Sequence, residues 1–315
     1  MRGWKARRLL LAGLVAGFLA GLLAGLAAAL LATPAAAQDA TRISAVATFS
    51  ILGDLVKNVG GNRVDVVTLV GPDGDAHVYS PTPGDAKKLA AAKIVFVNGL
   101  GLEGWMTRLV HASGTKPPLV TVTNGITPRK MEDESEPGRL VIDPHAWQSV
   151  VNAKAYVANI RDGLTAIDPA GKAIYDANAA AYLGKLDQLD NEVHAAIAAI
   201  PADRRRVITT HDSLGYFGDA YGLKFISPER VSTDSEASAR DVAKIIAQMR
   251  REKIPAVFME NITDPRLMRE IARETGAAMG GTLYSDALSA PGGPAASYLE
   301  MMRHNVRELT KALAG

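Results

Sequence analysis

The 315-residue chain contains no cysteine, so no disulfide staples its fold and no lipid-carrying cysteine stands at an export cleavage site. It also lacks a charge excess. Four of its 35 Lys and Arg fall within residues 1–8, and without them 31 bases face 33 acids, a formal charge near −2. Nothing in that balance argues for nucleic acid or for an anionic membrane surface as a partner. The chain has no H-E-x-x-H helix motif and no nucleophile elbow, two common signatures of hydrolytic sites.

What is present begins with the N-terminus. Arg2, Lys5, Arg7 and Arg8 precede an uninterrupted apolar run over 9–31, followed by Pro34 and the small residues 35–37. A positive n-region, an apolar h-region and an A-x-A site predict a secretory signal peptide, residues 1–37, cut after Ala37. The competing reading is an uncleaved anchor, because 23 apolar residues can span a bilayer. A cleaved chain without a lipid cysteine is expected to be soluble in a Gram-negative periplasm.

The remaining 278 residues exceed what one core usually organises and suggest two domains. Strand-like runs at 43–48, 64–70, 94–97 and 119–122 alternate with helical patterns at 51–59, 84–92 and 102–112. The alternation recurs later, with strands at 207–210, 223–226, 256–260 and 281–284 and helices at 238–252, 265–275 and 296–314. This predicts an α/β fold of two lobes, 38–168 and 201–315, each with a mostly parallel, helix-covered sheet. Between them, residues 169–200 carry Ile174, Tyr182, Leu186, Leu189, Val193 and Ile197 at helical spacing. One long rigid helix, roughly 40 Å at 1.5 Å per residue, is predicted to link the lobes.

Four residues then stand out. His77, His145, His211 and Asp286 each follow an apolar, strand-like run, at intervals of 68, 66 and 75 residues, about one βαβ unit apart. Loops after parallel strands converge at the C-terminal edge of the sheet, so residues distant in sequence can meet around one ion. Histidine with carboxylate is a zinc-type donor set. Each has a plainer role when taken alone. His77 sits in a turn-rich loop stiffened by Pro81 and Pro83, Asp143 near His145 can cap a helix, Asp212 and Ser213 can cap a turn after His211, and Asp286 can cap a turn before Pro291. His111, His194 and His304 lie on predicted helices without such context and are left out of the site.

The segments GDAHVY (74–79), NGLGLEGW (98–105), DPHAW (143–147), THDSLGYF (210–217) and YSDAL (284–288) occur in order across the chain. In these the protein resembles the metal-binding solute receptors of zinc and manganese ABC importers. The resemblance implies a C-clamp of two α/β lobes bridged by a long helix, with one metal ion in the cleft and no enzymatic activity. It also implies that His77, His145, His211 and Asp286 are the ligands, two from each lobe.

Three neutral imidazoles and one carboxylate favour Zn2+ over Mn2+, which prefers more oxygen, and manganese members more often carry Glu at the position of His211. A manganese or mixed-metal receptor of the same family is the alternative. Two features depart from zinc members of the family. The segment 129–138, RKMEDESEPG, is short, acidic and free of histidine where a long His-rich loop is often found, and the disulfide of some members is absent. Asn98, Glu103, Asp143 and Glu260 lie near strand ends on the same edge, and of these Asn98 and Glu260 are the candidates to hydrogen-bond the ligating imidazoles. The expected partners are an inner-membrane ABC permease and a periplasmic metallochaperone, with the receptor itself a monomer. Remoter readings are a zinc hydrolase, which would need an open coordination position, and a zinc buffer or adhesin without a transporter.

Overall fold

Strand β1 (Ile43–Phe49) is buried along its last five residues, and β3 (Ile94–Val97, sequence IVFV) is buried at all four. Such continuous apolar runs have no solvent face, which is what a parallel sheet covered by helices on both sides requires. The computed structural model describes residues 42–132, 138–234 and 237–314. The expected signal peptide and residues 133–137 of the acidic segment lie outside the described residues. No helix among the described residues is long and apolar enough to cross a membrane.

In the first lobe, β1, β2 (Val64–Val70), β3 and β4 (Leu119–Thr121) form a parallel sheet in the order β2-β1-β3-β4. Helices α1 (Ser50–Gly60), α2 (Pro83–Ala91), α3 (Met106–Ser113) and α4 (Val150–Ile167) accompany it. The second lobe repeats this plan. Strands β7 (Arg206–Ile208), β8 (Lys224–Ile226), β9 (Ala256–Glu260) and β10 (Ala278–Leu283) run in the order β10-β9-β7-β8, again all parallel. Helices α6 (Gly215–Tyr221), α7 (Ala239–Glu252), α8 (Arg266–Thr275) and α9 (Tyr298–Leu313) belong to that half. In both sheets the first strand lies between the second and the third, so each has a crevice between its first and third strands where the connections diverge.

Helix α5 (Lys172–Ala198) joins the lobes and packs along α4 and against α1 and α9. Its buried stripe is Tyr175, Ala179, Tyr182, Leu186, Leu189, Val193 and Ile197, spaced by three and four as a helix face demands. Ile174, assigned to that stripe from sequence, is instead 39% exposed. Tyr175 takes the inward position, its hydroxyl donating to Asp168 at 2.6 Å. The helix starts at Lys172, after a 3-10 turn at Pro169–Gly171.

Three other features depart from the sequence reading. The helix expected after Asp143 begins later than the sequence suggests, after a 3-10 turn at Ala146–Gln148, as the eighteen-residue α4. The apolar triplet before His145 is β6 (Leu140–Ile142), which pairs antiparallel with β5 (Lys130–Glu132) in a separate two-stranded hairpin. Leu140 and Ile142 are exposed there, so the triplet is not a core strand. Strand β10 begins three residues earlier than predicted and is irregular between Met279 and Thr282. A Cβ on Gly280 would lie 2.2 Å from the buried Phe258 ring, so this glycine lets the strand lie against the ring.

Candidate metal centre

The four singled-out side chains meet between the lobes. One donor atom from each of His77, His145, His211 and Asp286 lies within 4.8 Å of every other. Nε2 of His77 is 3.1 Å from both Nε2 of His145 and Oδ2 of Asp286. The same carboxylate oxygen is 3.5 Å from Nε2 of His145 and 3.3 Å from Nε2 of His211. Donors bound tetrahedrally at about 2.0–2.1 Å would stand about 3.3 Å apart, which matches these separations. The side chains of His145, His211 and Asp286 are fully buried, and only His77, at 4%, reaches solvent.

Each residue is set by its own loop. His77 follows β2 in a segment tied at several points. Its N–H donates to Asp75 Oδ1 at 2.8 Å, and the Trp105 indole donates to the Ala76 carbonyl at 2.8 Å. The far end is closed by a capping box at the start of α2, where Thr82 and Asp85 satisfy each other's backbone N–H. Asp73 N–H donates to the Leu288 carbonyl at 2.9 Å, and Thr233 Oγ1 donates to Asp75 Oδ2 at 2.5 Å, so this loop also grips the second lobe.

His145 follows β6 and opens a 3-10 turn at Ala146–Gln148. Its Nδ1 lies 2.8 Å from Asp143 Oδ1, which also accepts the His145 N–H at 3.0 Å. Two residues on, Trp147 Nε1 and Gln148 Nε2 donate to the Ser285 carbonyl at 2.9 and 2.7 Å. The segment bearing His145 thus fixes, across the lobe boundary, the peptide just before Asp286.

His211 follows β7, the first strand of the second sheet, and Glu260 ends β9, the third, so both sit at that sheet's crevice. Glu260 Oε1 accepts the His211 N–H at 2.9 Å, and Oε2 accepts from Ser213 Oγ at 3.0 Å. Oε2 also lies 2.7 Å from His211 Nδ1, an ion-pair contact that is not aligned as a hydrogen bond. Asp286 follows β10, and Asn305 on α9 fixes the strand end by bonding both the N–H and the carbonyl of Tyr284.

Asn98 acts one step further out than its sequence position suggested. Its amide donates to the Pro144 carbonyl at 2.9 Å, just before His145, and its oxygen accepts from Tyr156. Glu103 is partly buried and accepts from Thr48 and from the backbone of Asn98 and Gly99, holding the loop after β3. Arg129, read from sequence only as part of the acidic segment, is a contributor that pattern reasoning missed. Of the excluded histidines, His304 bonds the Thr282 carbonyl and His194 packs edge-on against Tyr221, away from this cluster.

The electrostatics favour a cation. Burial opposes charge on His145, yet Asp286 and Asp143 outweigh it and push the imidazole up to about 9. Burial likewise opposes charge on His211, but Glu260 and Asp286 hold it well above the ordinary histidine range. Asp286, despite its burial, is held well below the usual carboxylate range by His145 and His211. Among the described residues, Nε2 of His211 and Oδ1 of Asp286 have no hydrogen-bond partner. Buried polar atoms are rarely left unpaired, and a metal ion would satisfy both.

A two-lobed clamp around a buried three-histidine, one-aspartate cluster defines a class of protein able to enclose a small metal ion. The match to a family of known proteins agrees. Residues 45–312 fit the family described as zinc-uptake complex component A, periplasmic, and the chain belongs to that family. It is 33% identical to the manganese-binding lipoprotein MntA of Halalkalibacterium halodurans, over 88% of this chain and 91% of that one. It is equally 33% identical to the iron-binding protein YfeA of Yersinia pestis, over 86% of each. Among solved structures, the periplasmic zinc binding protein TroA of Treponema pallidum superposes with a TM-score of 0.81 at 30% identity, covering 87% of this chain and all of that one. A manganese-bound mutant of a periplasmic metal binding protein from Candidatus Liberibacter asiaticus gives 0.79 at 33% identity, over 86% of this chain and all of that one. Other relatives, about 30–32% identical over 88–89% of this chain, are named substrate-binding lipoproteins of metal or manganese ABC transporters, and the chain is a binding protein, not an enzyme.

Proposed function

We propose that this receptor captures zinc in the periplasm, holds it with His77, His145, His211 and Asp286, and delivers it to an ABC permease for import. The observation that carries this reading is the convergence of three imidazole nitrogens and one carboxylate oxygen within 4.8 Å of one another in a buried site. A set dominated by nitrogen suits a borderline ion, and four donors leave no open position for a catalytic water. The working form is a monomer released by cleavage after Ala37 and not held by a lipid, since the chain has no cysteine. Its lobes, 38–168 and 201–315, are braced by residues 169–200, and the surfaces beside the cleft dock on the permease. Loading occurs from free metal or from a periplasmic metallochaperone.

A manganese receptor is the second reading. Asp286 Oδ1 is buried and unpartnered beside the cluster, and a bidentate aspartate would add the oxygen that manganese prefers. The experiment is competitive affinity for zinc and manganese on stripped protein from Gln38 onward, with His211→Glu in parallel. One equivalent of zinc, held far more tightly than manganese and with the gap narrowed by the substitution, supports the zinc reading. Comparable hold on both metals supports the second reading, and no stoichiometric metal refutes both.

A further inference from the structure

Arg129 lies just before β5, outside both sheets, and its guanidinium reaches three carboxylates. Nη1 donates to Asp143 Oδ2 at 3.1 Å and Nε donates to Asp219 Oδ2 at 3.2 Å, while Nη1 also stands 4.0 Å from Asp212 Oδ1. Asp143 belongs to the first lobe, and its other oxygen orients His145. Asp219 lies on α6 of the second lobe, and Asp212 directly follows His211. One cation therefore connects the carboxylate behind one candidate ligand to the loop bearing another.

The backbone repeats the connection. Asp143 N–H donates to the Arg129 carbonyl at 3.0 Å, Arg129 N–H donates to the Tyr216 hydroxyl at 2.8 Å, and that hydroxyl donates to the Asp143 carbonyl at 3.0 Å. The slot for the guanidinium is built by an absent side chain. A Cβ on Gly215 would fall 2.4 Å from the Arg129 Cζ, so a larger residue would push the fork off the start of α6. Only arginine offers a planar fork that donates to two carboxylates at once.

We propose that Arg129 is a positioning residue for metal retention, bridging the lobes and holding Asp143 against His145 when the clamp is closed. This rests on the reading that the four side chains bind the metal. Its contacts to Asp219 and Tyr216 cross from one lobe to the other, so any parting of the lobes would break them, and in the proposal they favour the closed arrangement without affecting encounter with the ion. The effect falls on the rate at which metal leaves.

The test uses the mature chain loaded with zinc and mixed with excess chelator, following zinc loss in the parent, Arg129→Gln, Arg129→Lys, Asp143→Asn and the Arg129→Gln/Asp143→Asn double variant. Loss from Arg129→Gln should be about tenfold faster or more, as for other changes behind a metal ligand, with partial recovery in Arg129→Lys. In the Asp143→Asn background the same change should add less than about threefold, because the two act through one contact. Gly215→Ala keeps the arginine but fills its slot and should speed loss in the same direction. Equal acceleration in both backgrounds, or unchanged loss from Arg129→Gln or Gly215→Ala, overturns the proposal. A parent that holds no zinc would instead refute the functional reading beneath it.

Discussion

Replacing Glu260 by glutamine tests how the site is held, because the change removes a charge and almost no volume. The glutamate is buried at the end of β9 and serves three groups: the His211 N–H, His211 Nδ1 and the Ser213 hydroxyl. A glutamine has only one accepting oxygen, so one donor of His211 must face its NH2 group. Loss of such a carboxylate partner typically lowers metal affinity about 10–100-fold, or about 1.4–2.7 kcal/mol. An opposing effect also follows from the structure. Glu260 is the leading influence that raises the His211 pKa against burial, so its removal weakens the proton that competes with metal for Nε2. The loss should therefore be larger at high pH, where His211 has shed its proton, and shrink as pH falls. The assay is zinc affinity by chelator competition at three pH values, alongside the thermal midpoint of metal-free protein. Affinity within threefold of the parent at every pH would refute the argument, as would a loss that grows as pH falls.

Two further outcomes are expected. His145 is raised to about 9 by Asp286 and Asp143 acting against burial, so metal must displace its proton at neutral pH. Affinity should rise by about tenfold per pH unit for each proton displaced, with the His145 contribution levelling off above about 9, and calorimetry in buffers of different ionisation enthalpy should count the protons released. Gly280→Ala should destabilise the protein by about 1–3 kcal/mol, read from the urea midpoint, because the new methyl must displace the Phe258 ring in a packed core.

Much of this architecture was legible because parallel sheets leave a simple signature. Buried strands such as β3 and β9 are short apolar runs, and the first polar residues after them fall at the edge where sites form. That logic reached Glu260 and His211 through the strands that carry them. It reached His145 by a premise that holds only in part, since the triplet before it is an exposed antiparallel hairpin. The hairpin pairing was hidden because a three-residue strand carries no period of its own, and its partner β5 is masked by the charges around it. Helix α4 is legible only as a helix following Asp143 and without bounds, although its buried residues, from Val150 through Ala153, Tyr156, Val157, Ile160 and Leu164, follow helical spacing. Arg129 was illegible for a different reason. Its contacts are with residues 14 and 90 positions away, and no local pattern marks a side chain whose partners are brought to it by the closing of two lobes.

The same closing raises the question of how so polar a cluster can be buried without its ion. Asp286 and Glu260 carry two negative charges deep in the protein, and isolated buried carboxylates are costly. The pKa directions supply the balance. In the metal-free state His145 and His211 are both biased toward imidazolium, while Asp286 and Glu260 stay ionised, so two positive charges face two negative ones. A divalent ion replacing two protons leaves that sum unchanged. Arg129 against Asp143 keeps the layer behind His145 balanced in either state. With the ion proposed above bound there, the clamp would keep nearly the same charge loaded or empty, and exchange of one metal ion for two protons would let a drop in pH favour release.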